Sequence, residues 1–482
     1  MSVSSIKKQT ITGAFWKFGE RALTEEIQFI ISIILARILM PDDYGLIALV
    51  SIFTVFCDKL IICGFATSLI QKKNADNADF SSVFYFSLVA AILLYTLLFF
   101  VAPFIASFYD RFDRDTLIAV IRVSGLSLFL VAFNSVQLAY ISKNMLFKRN
   151  FWSALGAIIV SGGLGIAMAY NGFGVWSLVA QSMIKTFVGM LILLLTVRWK
   201  PDLSFSFTRL QELFSYGWRI FVSSIIKVIY NDIRTLVIGK VYTPADLAFY
   251  NRAQILPQLV DSNVTGTIDS VLFPAYSKLQ DDKKALVGAM RRAVKTSCYI
   301  LMPILALMAA VAFPLVRVLL TDKWLTCVPF MQILCFAFMF SPVETENLQS
   351  IKAIGRSDIV LRLEIVKRTI GVLLLIIAVP IGLHAIAWSM VFGNVIAAIL
   401  NAFPNKKLIG YSFFKQLMDI IPSILMSALV FAVANAFIYF NPEMNVWWQL
   451  VGGSCLGVFT YFICSWIFQV ETFMYIATLL RK

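Results

Sequence analysis

The sequence predicts an all-α integral membrane protein: about fourteen transmembrane helices, in two pseudo-symmetric lobes of about six helices around a central cavity, with a further helix pair after them. Three observations predict it. Of 482 residues 60% are hydrophobic and only 14% charged, with a mean hydropathy of +0.83, whereas soluble domains are about half apolar and a quarter charged. The apolar residues come in continuous runs of the roughly 20 residues needed to cross a hydrocarbon core of about 30 Å. Basic residues gather in alternate connections between those runs, the asymmetry that sets orientation in a bilayer.

The expected spans of the first half are Gly13–Leu39, Leu46–Ile70, Ser81–Ala102, Leu117–Tyr140, Phe151–Ala169, Val175–Val197 and Phe214–Ile238. Those of the second half are Gln254–Leu272, Thr296–Leu320, Cys327–Gln349, Ile359–Val379, Leu383–Ala402, Leu417–Ile438 and Trp447–Phe468. Continuous runs, rather than alternation of period two, exclude an outer-membrane barrel. One set of connections holds Lys7, Lys8, Lys72, Lys73, Lys143, Lys148, Arg149, Lys200, Arg209, Lys283, Lys284, Arg291, Lys352, Arg356, Lys406 and Lys407; the other holds little beyond Arg111, Arg114, Lys240, Arg252 and Lys323. Both termini are therefore expected in the cytoplasm, which requires an even number of spans. The first apolar segment carries Lys17, Glu20, Arg21, Glu25 and Glu26, unlike the plain apolar stretch of a cleaved signal.

The sequence also matches itself at an offset of about 200 residues. Trp16-Lys17 falls on Trp218-Arg219, Arg37 on Lys240, Pro41 on Pro244, Asp43 on Asp246, Asp58 on Asp261, and Gly172 on Gly382. The ladder divides the chain into an N-lobe over 1–205, a C-lobe over 206–405 and a C-terminal helix pair over 406–482. Lobes with an even number of helices insert in the same orientation, and two such lobes can rock about a cavity to expose it alternately to each side.

Charge inside the membrane marks where that cavity lies. An ionisable side chain at mid-bilayer costs at least about 2.5–3.5 kcal/mol, so a stripe of them needs an aqueous or protein-lined face. The seventh span carries Arg219, Ser223, Lys227, Asn231 and Arg234 at i, i+4, i+8, i+12 and i+15, one face of a helix along about 22 Å. The first span has Lys17, Glu20, Arg21, Thr24, Glu25, Gln28 and Ser32 on a comparable face, and Lys185 lies within the sixth. Arg219, Lys227, Arg234 and Lys185 are thus candidate substrate-binding residues. Cations in a low-dielectric cavity favour an anionic passenger, and arginine binds phosphate with two parallel hydrogen bonds. Asp58, Asp232, Asp261, Asp269 and Glu25 are candidates for ion or proton coupling.

Other chemistry has little to stand on. There is one histidine, His384, which excludes a His-rich metal site; no catalytic residue, metal or cofactor is expected. Seven cysteines, irregularly spaced in apolar runs, form no disulfide or zinc pattern. The net charge of +14 belongs to membrane-flanking loops rather than to a soluble basic domain, which excludes nucleic acid as a partner. No phosphate-binding G-x-x-x-x-G-K-[ST] loop is present. Pro41-Asp42-Asp43 in the first outer turn resembles an acidic catalytic motif, but Pro and Asp are also what a turn and helix start require, and Pro244-Ala245-Asp246 repeats the pattern.

The stretches ILARILMPDDYGLIAL (34–49), GFATSLIQKK (64–73), VIGKVYTPADLAFYNRAQILPQLV (237–260), VLFPAYSKLQDD (271–282) and LTDKWLTCVPFMQIL (320–334) resemble the bacterial polysaccharide exporters of the Wzx type. These belong to the multidrug/oligosaccharidyl-lipid/polysaccharide flippase superfamily, and the likeness is strongest to their colanic acid and lipopolysaccharide biosynthesis branch. The resemblance covers nearly the whole chain. It implies a non-enzymatic flippase of the bacterial inner membrane; a monomer is expected because a two-lobed transporter can function alone. Its cargo would be an undecaprenyl-diphosphate-linked oligosaccharide, carried from the cytoplasmic to the periplasmic leaflet. Implied partners are that lipid-linked oligosaccharide and membrane lipids, with polysaccharide polymerase and chain-length proteins as candidates. Arg21 matches the basic residue that related lipid flippases carry on the first helix, and the resemblance thereby implies it as a further candidate substrate-binding residue. Two other readings compete: a multidrug antiporter of the same superfamily, for which an anionic pocket is expected, and a membrane glycosyltransferase or polymerase, for which a long outer loop is expected.

Overall fold

The structure is a computed structural model describing residues 3–197, 199–280, 282–469, 473 and 474; within helices some side chains, including those of Arg219, Lys227 and Asp269, lie outside the described residues. Every expected span falls on one helix or on two in succession. In order these are α1 (Val3–Ile38), α2 (Pro41–Ile62), the short α3 (Phe65–Gln71), α4 (Asn77–Phe108), α5 (Arg114–Gly125), α6 (Ser127–Lys143), α7 (Phe147–Tyr170), α8 (Val175–Thr196) and α9 (Phe207–Val241). Then follow α10 (Pro244–Lys278), α11 (Lys283–Ala310), α12 (Ala312–Leu320), a 3₁₀ turn over Asp322–Cys327, α13 (Val328–Phe338), α14 (Ser341–Ala353), α15 (Ser357–Ala378), α16 (Leu383–Leu408), α17 (Phe413–Phe440) and α18 (Val446–Ile467). Among the described residues there is no strand.

Among the described residues, ten stretches are long and apolar enough to cross a membrane. α1, α9, α10 and α15 are not among them, and these are the helices on which the sequence concentrates its intramembrane charge. The protein is a multi-span membrane protein, and three of these four polar long helices, α1, α9 and α10, carry residues of the candidate site.

Helix starts follow from local chemistry. Pro41 opens α2, where its missing N–H costs nothing, and the Asp43 carboxylate accepts from the Met40 amide at 3.1 Å. The α10 start is built the same way: Pro244 comes first, and Asp246 accepts from the Thr243 amide at 3.2 Å and from its hydroxyl at 2.7 Å. Both Pro-x-Asp copies therefore act as helix caps.

The chain forms two compact units, Met1–Ala248 and Phe249–Lys482. In the first, α1 packs along α7, and α9 lies on α2, α3 and α4. The contact of α9 with the break between α2 and α3 is unusually close: a Cβ added to Gly64 would stand 2.4 Å from the Gly217 carbonyl oxygen. The first residue of α10 comes as near to α2, where a Cβ added to Gly45 would stand 1.8 Å from the Pro244 carbonyl oxygen. Gly64, at φ +73°, also makes the break between α2 and α3 that lets the chain turn there. An apolar cluster of Phe65, Leu69, Phe80, Phe84, Trp199, Leu210 and Leu213 closes the same end of this unit.

In the second unit α11 runs against α17, and α14 is a polar hub. Glu346 accepts from the Tyr276 hydroxyl at 2.8 Å, and Lys367 pairs with Glu344 at 2.9 Å. Asn347 exchanges hydrogen bonds with Gln416 of α17 and accepts from Asn405 of α16. Interior polar groups in a bilayer protein have no water to fall back on, so they bond to one another.

Candidate functional site

The α9 stripe contains the strongest candidates. Ser223 and Asn231 are exposed on it, while Arg234 is half-buried. Arg234 Nε is buried and has no hydrogen-bond partner among the described residues. A buried guanidinium N–H without an acceptor costs free energy unless a ligand supplies one, so Arg234 offers a ready donor to an anion. The side chains of Arg219 and Lys227 fall outside the described residues. Asp232, beside Arg234 in sequence, is half-buried.

The other candidates of the first unit occupy two settings. Lys185 of α8 donates from Nζ to Gln28 Oε1 of α1 at 3.1 Å, which brings the sixth expected span's cation onto the polar face of the first. Arg21 donates to Glu25 at 2.9 Å one turn along α1, and both are exposed. Beside them Glu20 pairs with Lys17 at 3.1 Å and accepts from Asn150 of α7 at 2.7 Å. Asp58 of α2 is half-buried, with its Oδ1 buried and unbonded among the described residues. In the second unit Asp261 of α10 accepts from the Ser341 hydroxyl of α14. The Asp269 side chain lies outside the described residues.

Several polar centres escaped sequence reasoning. The largest joins Lys72, Asp76, Asp79, Arg209 and Glu212 at the N-terminal end of α9. Asp79 is fully buried there, and Asp76 caps α4 by accepting from the Asp79 amide at 3.0 Å. The Asp-x-x-Asp spacing before an apolar run is a legible cap signal, but the expected span began at Ser81, which left both acids in a loop. In the second unit Asp419 takes Arg291 in a fork at 2.6–2.9 Å and the Tyr411 hydroxyl at 2.9 Å. Glu346 gave no signal, because a single acid on a mixed helix looks like any other.

A family model described as polysaccharide biosynthesis protein matches residues 34–329. The chain belongs to this family. Among its relatives, the succinoglycan biosynthesis transport protein ExoT of Rhizobium meliloti (strain 1021) is 24% identical over 478 residues, 95% of this chain and 93% of its own. The lipopolysaccharide biosynthesis protein WzxC of Escherichia coli (strain K12) is 21% identical over 427 residues, 86% of this chain and 85% of its own. Among solved structures, the lipid II flippase MurJ in an inward closed conformation superimposes with a TM-score of 0.72 at 16% identity, covering 95% of this chain and 98% of that one. This member of the polysaccharide biosynthesis family therefore has the fold of a multi-span membrane transporter.

Proposed function

We propose that the protein is a flippase: it carries an undecaprenyl-diphosphate-linked oligosaccharide repeat unit from the cytoplasmic to the periplasmic face of the bacterial inner membrane, for exopolysaccharide or lipopolysaccharide synthesis. The family match carries the reading, and a fold shared with a lipid II flippase supports it. In this reading both termini are cytoplasmic, the cycle is alternating access, and the protein moves its cargo without making or breaking a covalent bond.

The basic residues of α9 and the polar face of α1 and α8 form the site. Arg234 offers its Nε–H, which has no acceptor among the described residues, to a phosphate oxygen, where a charge-assisted hydrogen bond is about twice as strong as a neutral one. Lys227 and Arg219 on the same helix face, with Lys185 and Arg21, add positive charge for the diphosphate. Asp58 and Asp232 are the coupling carboxylates of the first unit, with Glu25 at its rim; Asp261 and Asp269 are those of α10.

The test is reconstitution into liposomes with a fluorescent lipid-diphosphate oligosaccharide, scored by loss of signal to an outside quencher or enzyme. The native protein equilibrates the lipid between leaflets, while Arg234→Ala and Lys227→Ala slow it by about tenfold or more, the weight of one charge-assisted hydrogen bond. Arg234→Lys recovers only part, because it lacks the planar fork. A native protein that moves none of the lipid refutes the function. Full activity in both alanine variants refutes the site.

A further inference from the structure

The N-terminal end of α9, cytoplasmic in the proposed topology, is docked by charge. Asp79 of α4 is 1% exposed and holds two cations: Lys72 Nζ at 2.9 Å and Arg209 Nη1 at 3.3 Å. Arg209 pairs with Asp76 as well, and Lys72 reaches Glu212 at 3.4 Å. Arg209 and Glu212 belong to the first turns of α9, whereas Lys72, Asp76 and Asp79 belong to the hairpin of α3 and α4. Just beyond, α9 meets that hairpin at Gly64 and Gly217, backbone against backbone.

The origin of the two cations matters. A buried carboxylate stripped of its partners is an uncompensated charge, which proteins tolerate poorly. Asp79 is protected from that state, because Lys72 comes from its own hairpin and stays if α9 leaves. Arg209, 36% exposed, and Asp76, 54% exposed, already touch water, and exposed ion pairs exchange partner for solvent at little cost. The glycine contact is itself backbone against backbone and sets no interlocked side chain in the way of parting, although Phe214, whose ring lies 6.1 Å from that of Phe65, and the buried Leu210 and Leu213 must leave the apolar cluster when α9 moves. Leu210 and Leu213, buried in the apolar cluster, make the docked arrangement the preferred one. At its other end α9 is fastened differently: Lys240 Nζ donates to the Phe108 carbonyl at 2.6 Å and pairs with Asp110 at 3.0 Å.

We infer that this cluster is a cytoplasmic latch, in which Arg209 docks α9 onto Asp76 and Asp79, and its release lets that end of α9 leave α3 and α4 and opens the helix's charged face to the cytoplasm. Lys72 is the positioning residue that keeps Asp79 neutralised in the open arrangement. The inference rests on the transport reading for its purpose, but not for its detection.

Two measurements test it, both in a Cys455→Ala background that removes the exposed cysteine. The first closes the latch. A Cβ on Gly217 lies 2.7 Å from Ser68 Oγ, so Ser68→Cys with Gly217→Cys places two thiols within disulfide reach. Oxidation stops lipid translocation and reductant restores it. The second opens the latch. In inside-out vesicles, Ser223→Cys on the exposed stripe reacts with a membrane-impermeant maleimide several-fold faster when Arg209→Gln is added, and Arg209→Lys returns the rate towards its starting value. Undiminished translocation by the cross-linked protein overturns the latch, as does an unchanged labelling rate in Arg209→Gln at normal abundance. If the reduced double-cysteine protein moves no lipid while its Cys455→Ala parent does, the added side chains have overpacked the Gly64–Gly217 contact and the labelling rates decide the latch; a parent that moves none counts against the proposed cargo.

Discussion

Truncating Asn347 to alanine should destabilise the second unit more than replacing its whole polar cluster by leucine. Asn347 Nδ2 donates to Gln416 Oε1 at 2.7 Å, and Asn347 Oδ1 accepts from Gln416 Nε2 at 2.9 Å and Asn405 Nδ2 at 2.7 Å. In the alanine variant Asn405 Nδ2 keeps the Asn347 backbone oxygen at 3.1 Å, and Gln416 Nε2 keeps a long bond to the Tyr411 carbonyl at 3.4 Å. Gln416 Oε1 keeps no donor among the described residues. One stranded buried acceptor costs about 1–3 kcal/mol. The other lost bonds add about 0.6 kcal/mol each, the smaller value that applies where the unfolded chain also finds partners in the membrane. The sum is about 2–4 kcal/mol, or a fall in melting temperature of about 4–16 °C on the scale of a cooperative unit of this size. The triple variant Asn347→Leu, Asn405→Leu, Gln416→Leu strands no partner within the trio and should melt above the single variant. Thermal unfolding of the purified protein in one detergent, followed by tryptophan fluorescence, gives both numbers. A shift under about 1 °C for Asn347→Ala, or a triple variant less stable than the single, would refute the reasoning.

Three further outcomes are expected. Asp43→Ala removes the acceptor of the Met40 amide and should cost about 0.5–2 kcal/mol of stability as a lost cap, with translocation per folded molecule preserved; abolished translocation at normal stability would instead mark Asp43 as a functional acid. Gly45→Ala drives a Cβ to 1.8 Å from the Pro244 carbonyl oxygen, and because backbone faces it on the far side, membrane abundance should drop as in an overpacked core, by about 1–3 kcal/mol or more. The hydrogen bond from Arg209 holds the Asp76 carboxyl down at about 2. A depressed carboxylate stabilises above its unfolded value near 3.8 and loses that contribution as pH falls through about 2. Asp76 is 54% exposed, so solvent screening limits the effect to less than about 1 kcal/mol. Asp76→Asn should therefore lower the melting temperature slightly at pH 7 and flatten its fall between about pH 4 and 2, and an unchanged acid limb would count against the pair.

Much of the candidate site was legible because intramembrane charge is rare and helical spacing is strict. The α9 stripe needed only the 3.6-residue period, and the Pro-x-Asp caps needed only the known demands of a helix start. What stayed hidden were partners distant in sequence. Nothing in the spacing of Lys185 points to Gln28, and nothing near Asp79 shows that one of its cations stands on its own hairpin and the other on α9. Glu346 and Asn347 looked like ordinary residues of a mixed helix until Tyr276, Gln416 and Asn405 closed around them.

The sequence alone determined that this chain lives in a membrane, roughly where it crosses, and which long helices carry charge, because transfer of apolar and ionised groups between water and hydrocarbon is an additive, local cost. The tertiary structure decided which of those charges are spent on each other and which, like Arg234, keep a donor with no acceptor among the described residues. Pairing depends on where helices distant in the chain come to lie side by side, and that is settled by glycine contacts such as Gly64 against Gly217 and by buried hydrogen-bond networks, neither of which leaves a periodic trace.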